Sequence, residues 1–102
     1  MKTKVFISQP MNGKTNEEIK AEREILIAKA KENYGDVEVI DSFFENAPHD
    51  AKPLWFLGES LKKLADADVA VFAKDWKTAR GCKIENQCAI AYGIETVECY
   101  SY

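Results

Sequence analysis

Glu85 is the residue whose type and position first suggest chemistry. It stands in the stretch TARGCKIENQCAIAYG, residues 78–93, which is built mainly from small and apolar residues and reads as a helix stopped by Gly93. Side chains on a helix lean toward its N-terminus, over the residue one turn back. For Glu85 that residue is Gly81, which has no side chain, so open space is expected beside the carboxylate. A carboxylate with room beside it can attack an electrophilic sugar carbon and form a covalent intermediate. Arg80 stands nearby and could pair with a phosphate or with an acid. The alternative for Glu85 is a solvated flank residue paired with Lys83 or Arg80.

The second candidate is the loop Ser8, Gln9, Pro10, Met11, Asn12, Gly13. It follows the apolar run Val5, Phe6, Ile7 and precedes a capping box, Thr15 with Glu18, that marks a helix start. The free N–H groups and positive dipole end of such a helix suit an anion or a sugar hydroxyl. The glycine spacing matches neither a P-loop nor GxGxxG, and a well-capped turn is the plainer reading. Phe43, Phe44, Trp55 and Trp76 are expected around the same pocket, where rings could stack on a base or serve as core. Thr78 and Gly81 belong to the same rim. Asp66 and Asp68 precede a strand, at the end of the sheet away from a site, and read as turn and helix-end residues.

These residues need elements to hold them. Apolar runs predict strands at 2–8, 37–41, 68–73 and 95–100. Helices are predicted from Thr15 to about Tyr34, stopped by Gly35; from Pro53, with Leu54, Leu57, Leu61 and Leu64 on one face; and from about Arg80 to Tyr92. On the first helix Ile19, Leu26 and Ala30 form the apolar stripe, widened by Ile25 and Ala28. Segments 42–52 and 74–78 read as loops. Strands alternating with helices imply a parallel sheet covered on both faces. Ligands of such sheets lie beyond the carboxyl ends of the strands, where the strand order reverses. The segments 8–15, 41–53 and 73–82 line that edge.

The whole chain of 102 residues reads as a single domain, 1–102. A net charge of −3 argues against binding a nucleic-acid polymer, which needs a basic face. No apolar run approaches the length of a membrane span, and the first residues lack a secretory cleavage pattern, so a cytoplasmic setting is expected. Cys82, Cys88 and Cys99 have no CxxC spacing and fit reduced thiols. His49 is the one histidine, a solvated loop residue, so no metal site is expected, and no cofactor. The aromatic loop and the final Tyr-Ser-Tyr leave apolar groups needing cover, so self-association as a homo-oligomer is expected.

Taken in order, ISQPMNG, then ADVAVFA, then DWKTARGCKIENQCAIAYG resembles the nucleoside 2-deoxyribosyltransferase-like family. The likeness is to its small branch often found in phages and gut bacteria, which shows I-S-G-P-M early and G-W-x-x-S-x-G-A-x-x-E after the third strand. It covers nearly the whole chain. It implies a flavodoxin-like three-layer α/β domain with a parallel sheet of four or five strands, binding a nucleoside or nucleotide. Active members cleave the N-glycosidic bond and pass the sugar to another base or to water, in a site often completed by a neighbouring subunit. By this likeness Glu85 matches the nucleophile, Gly81 the family glycine, and the Ser8–Gly13 loop the segment on the sugar or phosphate side. Active members carry an aspartate where this chain has Ser60, and a serine where it has Ala79. Glu59, next to Ser60, would point about 100° away around the helix. The pattern therefore leaves two functions: a protein that holds or sequesters a nucleotide, such as an ADP-ribose-derived signal, without turnover; or an N-glycosidase or deoxyribosyltransferase using Glu85.

Overall fold

The computed structural model describes residues 2–40, 42 and 48–102. Four strands alternate with three helices: β1 (Thr3–Ser8), α1 (Asn16–Tyr34), β2 (Val37–Ile40), α2 (Pro53–Leu64), β3 (Val69–Phe72), α3 (Arg80–Ala91) and β4 (Glu95–Glu98), with a short 3-10 turn at Trp76–Thr78. All pairings are parallel and the strand order is β2-β1-β3-β4. This is the flavodoxin-like order, three layers deep. The order reverses between β1 and β3, because the chain leaves β1 for one edge of the sheet and returns on its other side.

Period-two alternation decides which residue meets which layer. Val5 and Ile7 of β1, with Val69 and Val71 of β3, pack with Leu26 and Ala30 of α1. Phe6, Ala70 and Phe72 face the other way, against Leu64 of α2 and Cys82 and Ala89 of α3. The two central strands are buried on both faces, as expected of a parallel sheet. Asp68 works at the far edge, where its carboxylate accepts from the Lys4 amide at 2.8 Å.

α1 starts where its capping box predicts. The Glu18 amide donates to Thr15 Oγ1 at 3.1 Å, and the Thr15 amide donates to Glu18 Oε1 at 3.2 Å. It stops at Gly35, whose φ of 75° few other residues adopt readily. Ile19, Leu26 and Ala30 are buried as predicted, but Ile25 and Ala28 lie on the solvent side. The leucine face of α2 also needs correction. Leu64 is buried, Leu57 and Leu61 are half-buried, and Leu54 is 76% exposed. Of the four leucines, Leu64 is buried in the core and Leu61 packs against it, whereas Leu54 at the start of the helix faces solvent. β4 ends at Glu98 rather than at residue 100. No described helix is long and apolar enough to cross a membrane.

Candidate functional site

β1 ends at the switch point, and its last residue starts the site. Ser8 has the same parity as Phe6, so it faces the α2/α3 layer. Its Oγ donates to Glu85 Oε1 at 2.7 Å, and both residues are buried. The Ser60 side chain, from α2, stands against the same carboxylate and favours its charged form. Three elements thus converge on one acid. Glu85 is only 7% exposed, which removes the flank-residue alternative. Among the described residues no cation pairs with it: the ion pairs join Lys14 to Glu22 and Asp75, and Lys62 to Glu59. Burial pushes the Glu85 carboxyl above its ordinary range, and the two serine hydroxyls only partly offset this. A methyl group built on Gly81, one turn before Glu85, would meet nothing within 4 Å among the described residues.

Cys82 lies one turn before Glu85, buried against Phe72 and Trp76. Burial raises its thiol to about 12, with the Ser8 hydroxyl pulling it down and the Glu85 carboxylate pushing it up. Such a thiol is neither nucleophile nor metal ligand at neutral pH.

Gln9, the next residue of the chain, points to the opposite layer. Its Nε2 donates to the Ile19 carbonyl at 3.1 Å and to Glu22 Oε1 at 3.0 Å. Lys14 reaches Glu22 Oε1 at 3.4 Å and Asp75 Oδ2 at 3.1 Å, linking the loop after β1 to the loop after β3. Partial burial lowers the Lys14 pKa, but the two carboxylates outweigh it and the net shift is upward. Gln9 Oε1, Asp75 Oδ1 and Asn86 Nδ2 are buried with no partner among the described residues. This polar network of Gln9, Lys14, Glu22 and Asp75 has no counterpart in the expected site. One signal could have revealed Glu22: like Glu85, it is an acid set in the apolar stripe of its helix, between Ile19 and Leu26.

The remaining predicted site residues divide. Pro10 is buried, Met11 half-buried, and Asn12 and Gly13 are exposed at the tip of the loop, where Gly13 takes a φ of 80°. Arg80 is exposed at the first turn of α3. Thr78 is exposed, and its hydroxyl closes the local turn by donating to the Asp75 carbonyl at 2.7 Å. Trp76 does not serve as an open stacking platform. It is 7% exposed and tilts against Phe72 at 5.4 Å, where its ring fills the core. Phe43 and Phe44 lie outside the described residues. Glu59 is turned toward Lys62, away from the site. No described cluster of histidine, cysteine or carboxylate could hold a metal ion. An open depression of about 370 Å³, lined by Lys29, Glu32, Val97 and Cys99 among others, shares no residue with the Glu85 network.

No family model and no curated protein sequence matches the chain. Among solved structures it is similar to a conserved protein from Enterococcus faecalis V583, with a TM-score of 0.69 and 16% identity. The alignment covers 96% of this chain and 63% of that one, so this chain spans less than two thirds of its neighbour's length. At this identity the likeness concerns the fold: a flavodoxin-like α/β domain with an all-parallel four-stranded sheet.

Proposed function

We propose that the protein binds a nucleoside or nucleotide at the β1/β3 switch point, on a deoxyribosyltransferase-like domain, and holds it without cleaving it. The observation that carries this reading is Glu85: a buried carboxylate one turn after an uncrowded glycine, set against the Ser8 and Ser60 side chains and paired with no cation among the described residues. An unpaired buried acid is costly to a fold, and sites that bind or react are where such costs concentrate. Here the acid is well placed to accept the hydroxyls of a ribose. The resemblance to the deoxyribosyltransferase-like family, carried by ISQPMNG and by Gly81 with Glu85, supports the same ligand class.

Ser60 favours binding over turnover. Cleavage by Glu85 would form a bond from its oxygen to the anomeric carbon and break the C–N bond, sending that electron pair to the base. The departing nitrogen then needs a proton or a strong hydrogen bond. A general acid contributes roughly 10²–10⁴-fold to such a step. Ser60 stands against Glu85, at the position where active relatives carry aspartate, and a hydroxyl cannot act as that acid. The opposing reading, an N-glycosidase or transferase, draws on the open approach over Gly81, which would admit a sugar carbon. The reading includes a cytoplasmic setting and self-association, with Leu54 of α2, 76% exposed, as an apolar group for a second copy to cover.

Native mass spectrometry of protein purified from cells tests the choice. An intact co-purified nucleoside or nucleotide supports the binder. Free base accumulating when a nucleoside panel is added would establish the enzyme instead.

A further inference from the structure

We propose that Tyr102 is a positioning residue: it fastens together the two loops that flank the switch point and, through Glu22, sets where Gln9 and Lys14 stand. The functional meaning rests on the reading that these loops face the ligand; the fastening itself does not.

The segment after β4 turns back over the carboxyl edge of the sheet and brings the Tyr102 phenol to α1. Tyr102 Oη donates to Glu22 Oε2 at 2.7 Å and accepts from the Lys74 amide at 3.3 Å. The Lys74 ammonium lies over the same ring, 4.8 Å from its centre. The other oxygen of Glu22 accepts from Gln9 Nε2 and from Lys14. Tyr102 therefore holds the loop after β3 directly and the loop after β1 through one carboxylate. Lys14 spans the same two loops through Asp75, so the connection is a closed ring of hydrogen bonds. A closed ring restrains the two loops jointly, and opening it at Tyr102 leaves them joined only by the pendant Lys14–Asp75 tie. Gln9 adjoins Ser8, which orients Glu85, so slack in Gln9 is passed one residue along to the candidate ligand-facing acid. Plain apolar cover of the edge would need the ring of Tyr102 and not its hydroxyl.

That difference is the test. NMR-detected amide exchange is measured on ligand-free wild type, Tyr102→Phe and Tyr102→Ala. Tyr34→Phe is the control, because it removes a similar tyrosine–carboxylate bond, to Glu95, at the opposite edge of the sheet. The expected result for Tyr102→Phe is roughly three- to tenfold faster exchange at Lys74, whose acceptor is lost, and at Lys14, whose amide closes its loop on the Met11 carbonyl, while β3 amides keep their protection. Tyr102→Ala should match or exceed this, and Tyr34→Phe should leave both loops unchanged. Wild-type exchange at both loops in Tyr102→Phe would overturn the proposal and leave the ring as passive cover. Faster exchange at Lys74 alone would overturn it too, since the path through Glu22 would then carry nothing. Binding of adenosine and of its 5′-monophosphate is measured separately by calorimetry. If wild type binds neither, the ligand reading loses support while the exchange result still decides the fastening.

Discussion

Glu85→Gln should make the protein more stable at neutral pH and worse at binding. The substitution keeps the shape of the side chain and removes its charge from a site that is 7% exposed. Ser8 and Ser60 can rotate their hydroxyls to suit an amide, so the hydrogen bonds need not be lost. What disappears is the desolvation that pushes the Glu85 carboxyl above its ordinary value of 4.5. The sign follows from proton linkage. An acid whose folded pKa is raised binds its proton more tightly in the folded state, so stability falls as pH rises from the unfolded value through the folded one. Wild type carries that loss above the window, and Glu85→Gln never does. Removing a functional-site strain of this kind commonly yields about 0.5–2 kcal/mol. For a domain near this size, 1 kcal/mol moves the thermal midpoint by about 4–8 °C. Urea unfolding at pH 7 and again below pH 4.5 is the assay. The gain should be present at pH 7 and vanish at the lower pH, where wild type is itself protonated. Loss of a charge-assisted acceptor for a ribose hydroxyl, worth roughly 1.5–3 kcal/mol, should weaken ligand binding about 10- to 150-fold. A variant that is less stable at pH 7 and by the same amount at low pH would refute the reasoning, since the acid would then be a structural part of the core.

Ser60→Asp introduces the acid that the resemblance to the deoxyribosyltransferase-like family would place there; if its absence alone blocks turnover, the variant should release free base from nucleosides, and Glu85→Ala should abolish that release. Folded Ser60→Asp protein that binds ligand and releases no base leaves sequestration as the stronger reading. Thiol titration of denatured protein should count three free cysteines, consistent with their reduced state in the structure. In native protein Cys82 should react last, its thiol being buried and raised to about 12. Light scattering at micromolar concentration should find a mass above that of one 11.5 kDa chain, and Leu54→Glu should shift the balance toward monomer.

The fold was legible where burial is decided locally. Apolar runs marked the strands, most plainly β1 and β3, which are buried on both faces, and Thr15 with Glu18 marked the start of α1 to the residue. The α2 leucines misled because periodicity says which residues share a face, not how much of that face a neighbour covers. Here the end of the helix meets the core through Leu61 and Leu64, and its start does not. For Trp76 the sequence left stacking on a base and service as core both open, and the short 3-10 turn decides for core by carrying its ring against Phe72. At the site, Glu85 was legible as an acid in an apolar stripe above a glycine. Glu22 carries the same signal, but a capped amphipathic helix accounts for an acid there equally well. The contacts that complete the site join Ser8 to Glu85 across 77 residues and Glu22 to Tyr102 across 80. Separations of that size leave no trace in local spacing.

The end of β1 is where the two halves of the site become one object. Ser8 and Gln9 are consecutive, so pleating sends one to the α2/α3 layer and the other to α1. Ser8 orients Glu85; Gln9 enters the ring of Glu22, Lys14 and Asp75. Any movement of this dipeptide is therefore felt by both layers. Carboxylates at Glu22, Asp75 and Glu85 gather near it; Lys14 pairs with the first two, and no cation among the described residues pairs with Glu85. The helix end beside the loop is closed as well, because the capping box fills it with Thr15 and Glu18. Donors rather than anions suit this side of the crevice, as ribose hydroxyls would. α3 differs: its first turn has no side-chain cap and no acid, and it begins with Arg80. A phosphate would rest more easily there. The asymmetry gives the proposed ligand a direction, with sugar hydroxyls toward Glu85 and Gln9 and any negative group toward Arg80. Comparing Arg80→Ala with Glu85→Gln on a nucleoside and on its monophosphate resolves that direction. Only the monophosphate should lose affinity to the first change, whereas both should lose it to the second.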